Sequence, residues 1–175
     1  VSLKLLDRIP LPNQPNGQYI TQLSAPMHDR MYMGRVDYDF RPSDRTTFRY
    51  FMDHPEDLNP FTGSNVDGYG GANSGDRPQN WNLNHTHTFT PALLLNVRAS
   101  VTRFRYYLEH LNHDTLASLG AKFITGGGPG ALPNLSVTGR FNGGTSQQEG
   151  NAISDTREMS GDLSWFRGGH ELKFG

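Results

Sequence analysis

The sequence predicts an all-β fold, an antiparallel transmembrane β-barrel meander of which this chain holds about six or seven strands. Three observations lead to this prediction. Apolar and polar residues alternate along several runs, most runs are close to the roughly 9–11 residues with which a tilted strand crosses a bilayer, and short connections alternate with long ones. Membrane barrels are built in this way, with short turns on one side and long loops on the other.

The first pair of alternating runs lies on either side of a turn at Arg41–Arg45, which is rich in turn-forming residues. In the first run the even positions are apolar or aromatic and the odd positions are mostly charged. The even positions hold Tyr32, Gly34, Val36, Tyr38 and Phe40, and the odd positions hold Met33, Arg35, Asp37 and Asp39. The second run, Thr46–Asp53, carries Phe51 as a single violation on its polar face. Together the two runs predict a β-hairpin.

Two further hairpins repeat this design. Their alternating runs are Trp81–Thr90, Leu93–Thr102, Glu158–Trp165 and His170–Phe174. Tight turns are expected at Pro91-Ala92 and at Arg167–Gly169. Beyond Arg103 the alternation becomes irregular, which is typical of a strand end or a β-bulge.

The connections between these hairpins are long and rich in Gly, Asn and Pro. His54–Asn80 and Glu109–Asp155 are predicted to be extracellular loops without clear secondary structure. Pro10–Gly17 is also a loop. Whether Tyr19–Leu23 forms a separate strand is left open, and Leu3–Ile9 is too short and too charged to assign.

A soluble antiparallel sheet also alternates, because one face packs on a core and the other meets water. Two features favour a membrane barrel. Charged residues on the polar faces would line a wide aqueous lumen; they are Arg35, Asp37, Asp39, Arg49, Asp53, Arg98, Glu158, Asp162, Glu171 and Lys173. Aromatic residues near the strand ends of the apolar faces would form interfacial girdles; they are Tyr32, Phe40, Trp81, Phe89, Trp165 and Phe174.

Composition excludes several classes of protein. The mean hydropathy is -0.63, but aromatics make up 11% of the residues, which argues against simple disorder. The net charge is -1 and basic residues are not clustered, so no nucleic-acid partner is expected. The absence of cysteine excludes disulfides, thiolate metal sites and cysteine nucleophiles. No stretch approaches the roughly 20 apolar residues of a membrane helix.

The two ends of the chain carry no signal of a complete protein. It begins at Val1 without a recognisable signal peptide and stops at Gly175 within an alternating run. We therefore expect residues 1–175 to be an internal fragment of a single barrel domain.

Few residues suggest chemistry. His85 and His87 share one face of a strand, and His110 and His113 lie downstream; they are candidate metal ligands, but no carboxylate or third histidine sits at a recognisable spacing. Interfacial or solvated histidines are the preferred interpretation. The glycines of 126–130 lack the Gly-Lys-Ser/Thr and helix of a phosphate loop.

Other candidates are weaker still. A calcium loop would draw on Asp57, Asn59, Asn65 and Asp67, whose order does not follow the EF-hand pattern. The sequence does not show the motif of a catalytic nucleophile around any of three serines, Ser118, Ser136 and Ser146. We therefore expect no enzyme activity, no cofactor, and no catalytic or metal residues.

Several segments resemble Oar-like TonB-dependent receptors, outer-membrane proteins with a carboxypeptidase-regulatory-like domain at the N-terminus. Leu6–Asn13 is similar to their "PxPN" loop, and Gly34–Phe40 followed by Phe48–Tyr50 resembles their "RxDxxF" strand and Phe-Arg-Tyr strand. Asn84–Arg98 is similar to the "TFSPxLxNxxR" hairpin. The most specific likeness is that of Asp162–Gly175 to the "DxLSWxRGxHxLKFG" hairpin.

This resemblance implies a plugged barrel of about 22 strands in the outer membrane of a Gram-negative-type bacterium. Its implied partners are outer-membrane lipid, an imported ligand that the sequence does not identify, and the TonB system. TonB would be reached through N-terminal parts that this chain lacks, namely the accessory domain, the TonB box and the plug. The function expected is active uptake of a scarce solute, with the ligand-binding residues undetermined.

Two alternatives stay open at this point. One is a secreted all-β module that binds carbohydrate or peptide through its loops. The other is a metal-dependent enzyme that uses the histidine pairs.

Overall fold

The computed structural model describes residues 2–62, 64–66, 68–122, 132–145 and 147–175, without the side chains of residues 2 and 3. The chain divides into two compact units. The sheet unit comprises Asp29–His54, Asp76–Arg105 and Ala152–Gly175. The loop unit comprises Val1–His28, Pro55–Gly75 and Tyr106–Asn151.

Strands dominate the described residues. In chain order the elements are α1 Ser2–Leu6, β1 Met27–His28, β2 Met31–Arg41, β3 Asp44–Asp53, β4 Glu56–Asn59, β5 Ala72–Asp76, β6 Gln79–Thr90, β7 Leu93–His110, β8 Leu135–Val137, β9 Phe141–Gly143, β10 Gly150–Arg167 and β11 His170–Phe174. Within the described part of the chain, no helix has the length and apolar character needed to cross a membrane.

The sheet unit contains the six strands of the three predicted hairpins. Their order is β2-β3-β6-β7-β10-β11. The pairings of β2 with β3, β3 with β6, β6 with β7 and β10 with β11 are antiparallel. Among the described residues β2 pairs with β3 alone and β11 with β10 alone, so the sheet stays open. The all-β, partial antiparallel architecture predicted from the alternation is confirmed.

The register of the hairpins places apolar residues of one strand opposite apolar residues of the next. Val36 lies opposite Phe48, and Trp81 lies opposite Val101. Because side chains alternate with a period of two, a shift of one residue would move every apolar side chain to the polar face. The pairing therefore keeps one apolar and one polar surface across neighbouring strands.

The short turns fall where the sequence predicts them. Pro91 and Ala92 separate β6 from β7, and Pro42 and Ser43 separate β2 from β3, within the predicted Arg41–Arg45. Gly168 begins the two-residue turn between β10 and β11 with φ of 59°. Glycine suits this position because a positive φ disfavours residues with a Cβ atom.

Two strands are much longer than expected. Of the two alternatives predicted beyond Arg103, the strand end is wrong, since β7 continues to His110, and the β-bulge stays a prediction. β10 begins at Gly150 rather than at Glu158. Each strand has 18 residues, more than the roughly 9–11 that cross a bilayer. The extra length is polar or irregular in sequence, so alternation could not reveal it.

The long connections also differ from the prediction. The segment 54–80 contains the antiparallel pair β4 and β5, and the segment 109–155 contains the pair β8 and β9. These strands leave no signal in the sequence because they have only three to five residues each and lack alternation. Tyr19–Leu23 is not a strand, whereas the unassigned N-terminal stretch includes α1.

The loop unit has a small hydrophobic core of its own. Its buried members are Val66, Tyr69, Leu116, Leu119 and Leu132, with Leu5, Ala121, Leu135 and Phe141 packed around them. Burial raises the pKa of the Tyr69 phenol above its ordinary value. Residues from the N-terminal segment and from both long connections take part, so the loop unit is a packed structure.

Leu119 offers a test of this core, because its side chain is only 3% exposed. Leu119→Ala should destabilise the loop unit by about 2–5 kcal/mol, through lost burial and the cavity that remains. Hydrogen exchange of loop amides in the full-length protein would report the change as faster exchange, with the sheet strands unaffected. The matched control is Leu11→Ala, at a side chain that is 84% exposed. Equal protection in the two variants would contradict a packed loop unit.

Candidate functional site

The polar faces of the sheet-unit strands form one hydrophilic surface, here called the polar wall. It combines the odd positions of β2 and β3 with the even positions of β6 and β7 because the registers align them. One row across these four strands reads Asp37, Thr47, Asn84 and Arg98. Phe51, the apolar exception on the polar face of its strand, lies opposite Met33 and forms an apolar spot within the wall.

Two ion pairs of the first hairpin lie on the polar wall. Arg35 donates two hydrogen bonds to Asp37, at 2.8 and 2.9 Å, and Arg45 donates two to Asp39, at 2.8 and 3.1 Å. The Thr47 hydroxyl adds a hydrogen bond to Asp37 at 2.6 Å. These groups are largely exposed, so water and salt screen each pair and its contribution to the stability of the fold is small. Their main effect is to present a hydrated, nearly neutral surface.

Amides and hydroxyls extend the polar wall across β6 and β7. Asn80 donates to the Thr102 hydroxyl at 2.7 Å, and Asn96 donates to the Thr86 hydroxyl at 3.0 Å. The wall then continues to β10, where Arg98 pairs with Asp162 at 2.8 Å. Several of the charged residues that the sequence places on the polar faces thus pair with one another.

The opposite surface is apolar and exposed. Val36 is 62% exposed, and the predicted girdle residues Tyr32, Phe40, Phe89 and Phe174 are each more than half exposed. Tyr38 and Phe40 meet edge to face at 4.6 Å, while Tyr50 and Trp81 lie 5.5 Å apart. A continuous exposed apolar surface marks a region that contacts another apolar phase.

The two strand histidines have a neighbour that the sequence did not reveal. Asp44, at the start of β3, lies directly opposite His87 of β6. Its Oδ1 is 2.5 Å from His87 Nδ1 and 3.6 Å from His85 Nε2. The sequence has no carboxylate at a recognisable spacing from the pair, and the fold brings Asp44 beside both rings. The sequence pattern places Asp44 in a turn, and only the register between the two strands could have identified it.

Asp44, His85 and His87 are a metal-competent group by geometry. One ligand atom from each side chain lies within 4.8 Å of the others. In the described part of the chain, no second group of three His, Cys, Asp or Glu residues meets that criterion.

The other histidines lie in the loop unit. The His110 ring is buried, with Nε2 at 3.2 Å from the backbone oxygen of Gln147, and its backbone N–H donates to Glu149. His113 Nδ1 is 3.4 Å from the same Glu149 carboxylate. These contacts attach the end of β7 to the segment before β10.

The remaining candidates do not converge. Asn59 accepts a hydrogen bond from the backbone N–H of Phe61 within its own loop, whereas Asn65 accepts one from the backbone N–H of Asn142 in the other long connection. Ser118 and Ser136 bond Thr115 and Asn142, respectively. Asp67, Ser146 and the glycine-rich segment 126–130 lie outside the described residues.

The two long connections contact each other within the loop unit. Asn65 N–H donates to the Asn142 carbonyl at 3.1 Å, and Asn142 N–H donates to Asn65 Oδ1 at 2.6 Å. A Cβ added at Gly70 would lie 2.4 Å from Ser64 Cβ and 3.0 Å from the Gly144 carbonyl. Glycine is therefore required where the two connections approach most closely.

A family model described as an outer membrane beta barrel domain matches residues 1–175. The chain belongs to this family. Comparisons with curated proteins and with solved structures find no match. Membership confirms the barrel fold and the outer-membrane location predicted from the sequence. The family description is broader than a TonB-dependent, Oar-like receptor, and that finer identification stays a prediction.

In an outer membrane beta barrel domain the apolar surface meets lipid and the polar wall meets the lumen. The girdle aromatics then lie near the two interfaces, and the polar ends of β7 and β10 extend beyond the hydrocarbon. The secreted binding module is not retained, because this family resides in the outer membrane.

Val36 and Thr47 test the assignment of the two surfaces. Val36→Arg places a charge in lipid, which costs about 2–4 kcal/mol near the bilayer midplane, whereas Thr47→Arg places the same charge beside Asp37 in water. Val36→Arg should reduce the amount of folded full-length protein in outer membranes severalfold, measured by heat-dependent migration on gels. Thr47→Arg should leave it near wild type. Equal losses would show that the surfaces are assigned incorrectly.

Strand parity places both long connections on the same side of the membrane, and we expect that side to be extracellular. Epitope tags inserted at Gly68 and at Gly139, where an added Cβ meets nothing within 4 Å, should bind antibody on intact cells. A tag at Gly168, in a short turn at the opposite strand ends, should require permeabilised cells. Labelling of only one long connection would contradict the strand count between them.

Proposed function

We propose that this chain is part of the barrel of a TonB-dependent outer-membrane transporter that imports a scarce solute. The polar wall is the observation that carries the proposal. Its ion pairs and amide rows extend from β2 through β10, which suits the lumen of a wide barrel better than the packed interior of a small one.

The sequence resemblance supports the same function. The segment most specific to Oar-like receptors, Asp162–Gly175, forms the hairpin of β10 and β11 at the predicted turn. Its Asp162 joins the polar wall through Arg98. The motif thus supplies both a tight turn and a lumen-facing carboxylate.

The loop unit supports a receptor role. Loops that pack on a hydrophobic core hold a fixed surface, and a preformed surface loses less conformational entropy when it captures a ligand. We propose that the loop unit catches the solute before it enters the lumen, and that TonB supplies the energy for its passage through N-terminal parts of the complete protein.

We further propose that the barrel wall has no enzymatic role and needs no cofactor for transport. The polar wall contacts described above are ion pairs and hydrogen bonds between side chains that are neutralised or hydrated. Its functions would be to solvate the passage, to bury an apolar surface in lipid and to carry the loop unit.

Genetic epistasis tests the proposed uptake and does not require that the solute be identified first. In the native host, deletion of the complete gene should impair growth on certain limiting nutrients, measured in competition cultures across carbon, nitrogen and iron sources. Deletion of tonB should impair growth on those same nutrients. The double deletion should be no worse on them than the tonB deletion, because one pathway is lost in both.

An additive defect would contradict TonB-dependent transport, as would normal uptake in the tonB deletion. Restoring the wild-type gene in trans is the control for the single deletion. Passive uptake through an open barrel would show as a defect that depends on this gene but not on TonB.

A further inference from the structure

We propose that Asp44, His85 and His87 form a binding site for a divalent transition-metal ion such as Zn²⁺, which links β3 to β6 near the short-turn end of the sheet. The site is independent of the proposed transport function. Imidazole nitrogen and carboxylate oxygen are the ligands that zinc takes in sites with three protein ligands and an open position.

Cross-strand register creates the site. His85 and His87 are two residues apart on one strand, so their side chains point to the same face. Asp44 lies opposite His87 and diagonal to His85, within reach of both rings. A single carboxylate oxygen, Oδ1, lies within 4 Å of both imidazoles.

Each of the three ligands is oriented by a further neighbour. Ser43 donates a hydrogen bond at 2.7 Å to Oδ2 of Asp44, which leaves Oδ1 turned toward the histidines. The Thr46 hydroxyl lies 2.8 Å from Nδ1 of His85. When Nδ1–H donates to that hydroxyl, the lone pair of the ring is on Nε2, the atom that faces Asp44. Such supporting hydrogen bonds are typical of metal-binding histidines and carboxylates.

His87 is supported by packing. Its ring meets Phe89 edge to face, with 4.4 Å between the ring centres. This contact limits rotation of the imidazole and keeps Nδ1 toward Asp44. The three supporting contacts come from different neighbours, which distinguishes the group from an incidental encounter of polar side chains.

The two distances from Asp44 to the rings can be compared with those around a bound metal ion, and all three ligand atoms lie within 4.8 Å of one another. Two atoms bound tetrahedrally to zinc at about 2.0–2.1 Å are roughly 3.3 Å apart. His85 Nε2 is already 3.6 Å from Asp44 Oδ1. His87 Nδ1, at 2.5 Å, must move away by somewhat less than 1 Å, and its side chain is 30% exposed, so there is room.

Water reaches this end of the sheet. A surface cavity of about 540 Å³ adjoins the turn and is lined by Ser43, Asp44, Arg45 and Thr86, among others. Asp44 lines this cavity at the strand end, whereas His85 and His87 do not line it and lie on the face of the sheet opposite the polar wall. The position fits the interface better than the hydrocarbon, where a charged ion and carboxylate would be costly.

Zinc titration of the full-length protein in detergent micelles tests the proposal. After chelator treatment and buffer exchange, the wild type should bind ZnCl₂ at one site more tightly than His87→Ala and Asp44→Asn, by at least about tenfold in Kd measured by calorimetry. His170→Ala removes a histidine of β11 outside the group and should bind as the wild type does. Heat-dependent migration on gels confirms that each variant is folded.

A further variant and a visible absorption spectrum distinguish a preorganised metal site from adventitious binding. Thr46→Val keeps the side-chain shape but removes the hydroxyl beside His85, and should weaken zinc binding by about 10–100-fold. Co²⁺ bound to the wild type should show visible absorption bands typical of low coordination number, and these should be missing in His87→Ala. The proposal is overturned if folded wild type binds zinc no more tightly than His87→Ala or Asp44→Asn, or if Thr46→Val has no effect.

Discussion

The structure depends on one constraint, that each backbone N–H and C=O group in the membrane must find a hydrogen-bond partner on a neighbouring strand. Antiparallel pairing meets this demand and fixes a register at the same time. Because side chains alternate with period two, the register decides which residues meet lipid and which meet water. The ion pairs of the polar wall and the Asp44–His85–His87 group both follow from it, although neither is a strong stabilising interaction.

The central parts of the hairpins could be predicted from the sequence, since alternation is strongest where one face is apolar and the other is polar. The turns at Pro91-Ala92 and Gly168-Gly169 were equally clear, because few residue types suit such tight reversals. The ends of β7 and β10 were not predictable from the same signal. Outside the hydrocarbon both faces are wet, so alternation disappears although the strand continues.

The candidate metal group shows a different limit of sequence reasoning. His85 and His87 are recognisable by their spacing along one strand, but Asp44 is 41 residues before His85 in the sequence. Only the register of β3 with β6 brings the carboxylate to the rings. Likewise, the core around Leu119 and Leu132 draws on segments that show no periodicity. Their burial depends on contacts between connections that are distant in the chain.

The lengths of the connections imply an order of assembly. Two-residue turns join the strands of each hairpin, whereas 39 residues separate the end of β7 from the start of β10. Loop-closure entropy rises by about 0.6 kcal/mol for each doubling of length, so this pairing costs roughly 2–3 kcal/mol more to initiate than a hairpin. We therefore expect the two strands of each hairpin to pair first and the hairpins to pair with one another later. The core of the loop unit, which needs residues from both long connections, would then form last.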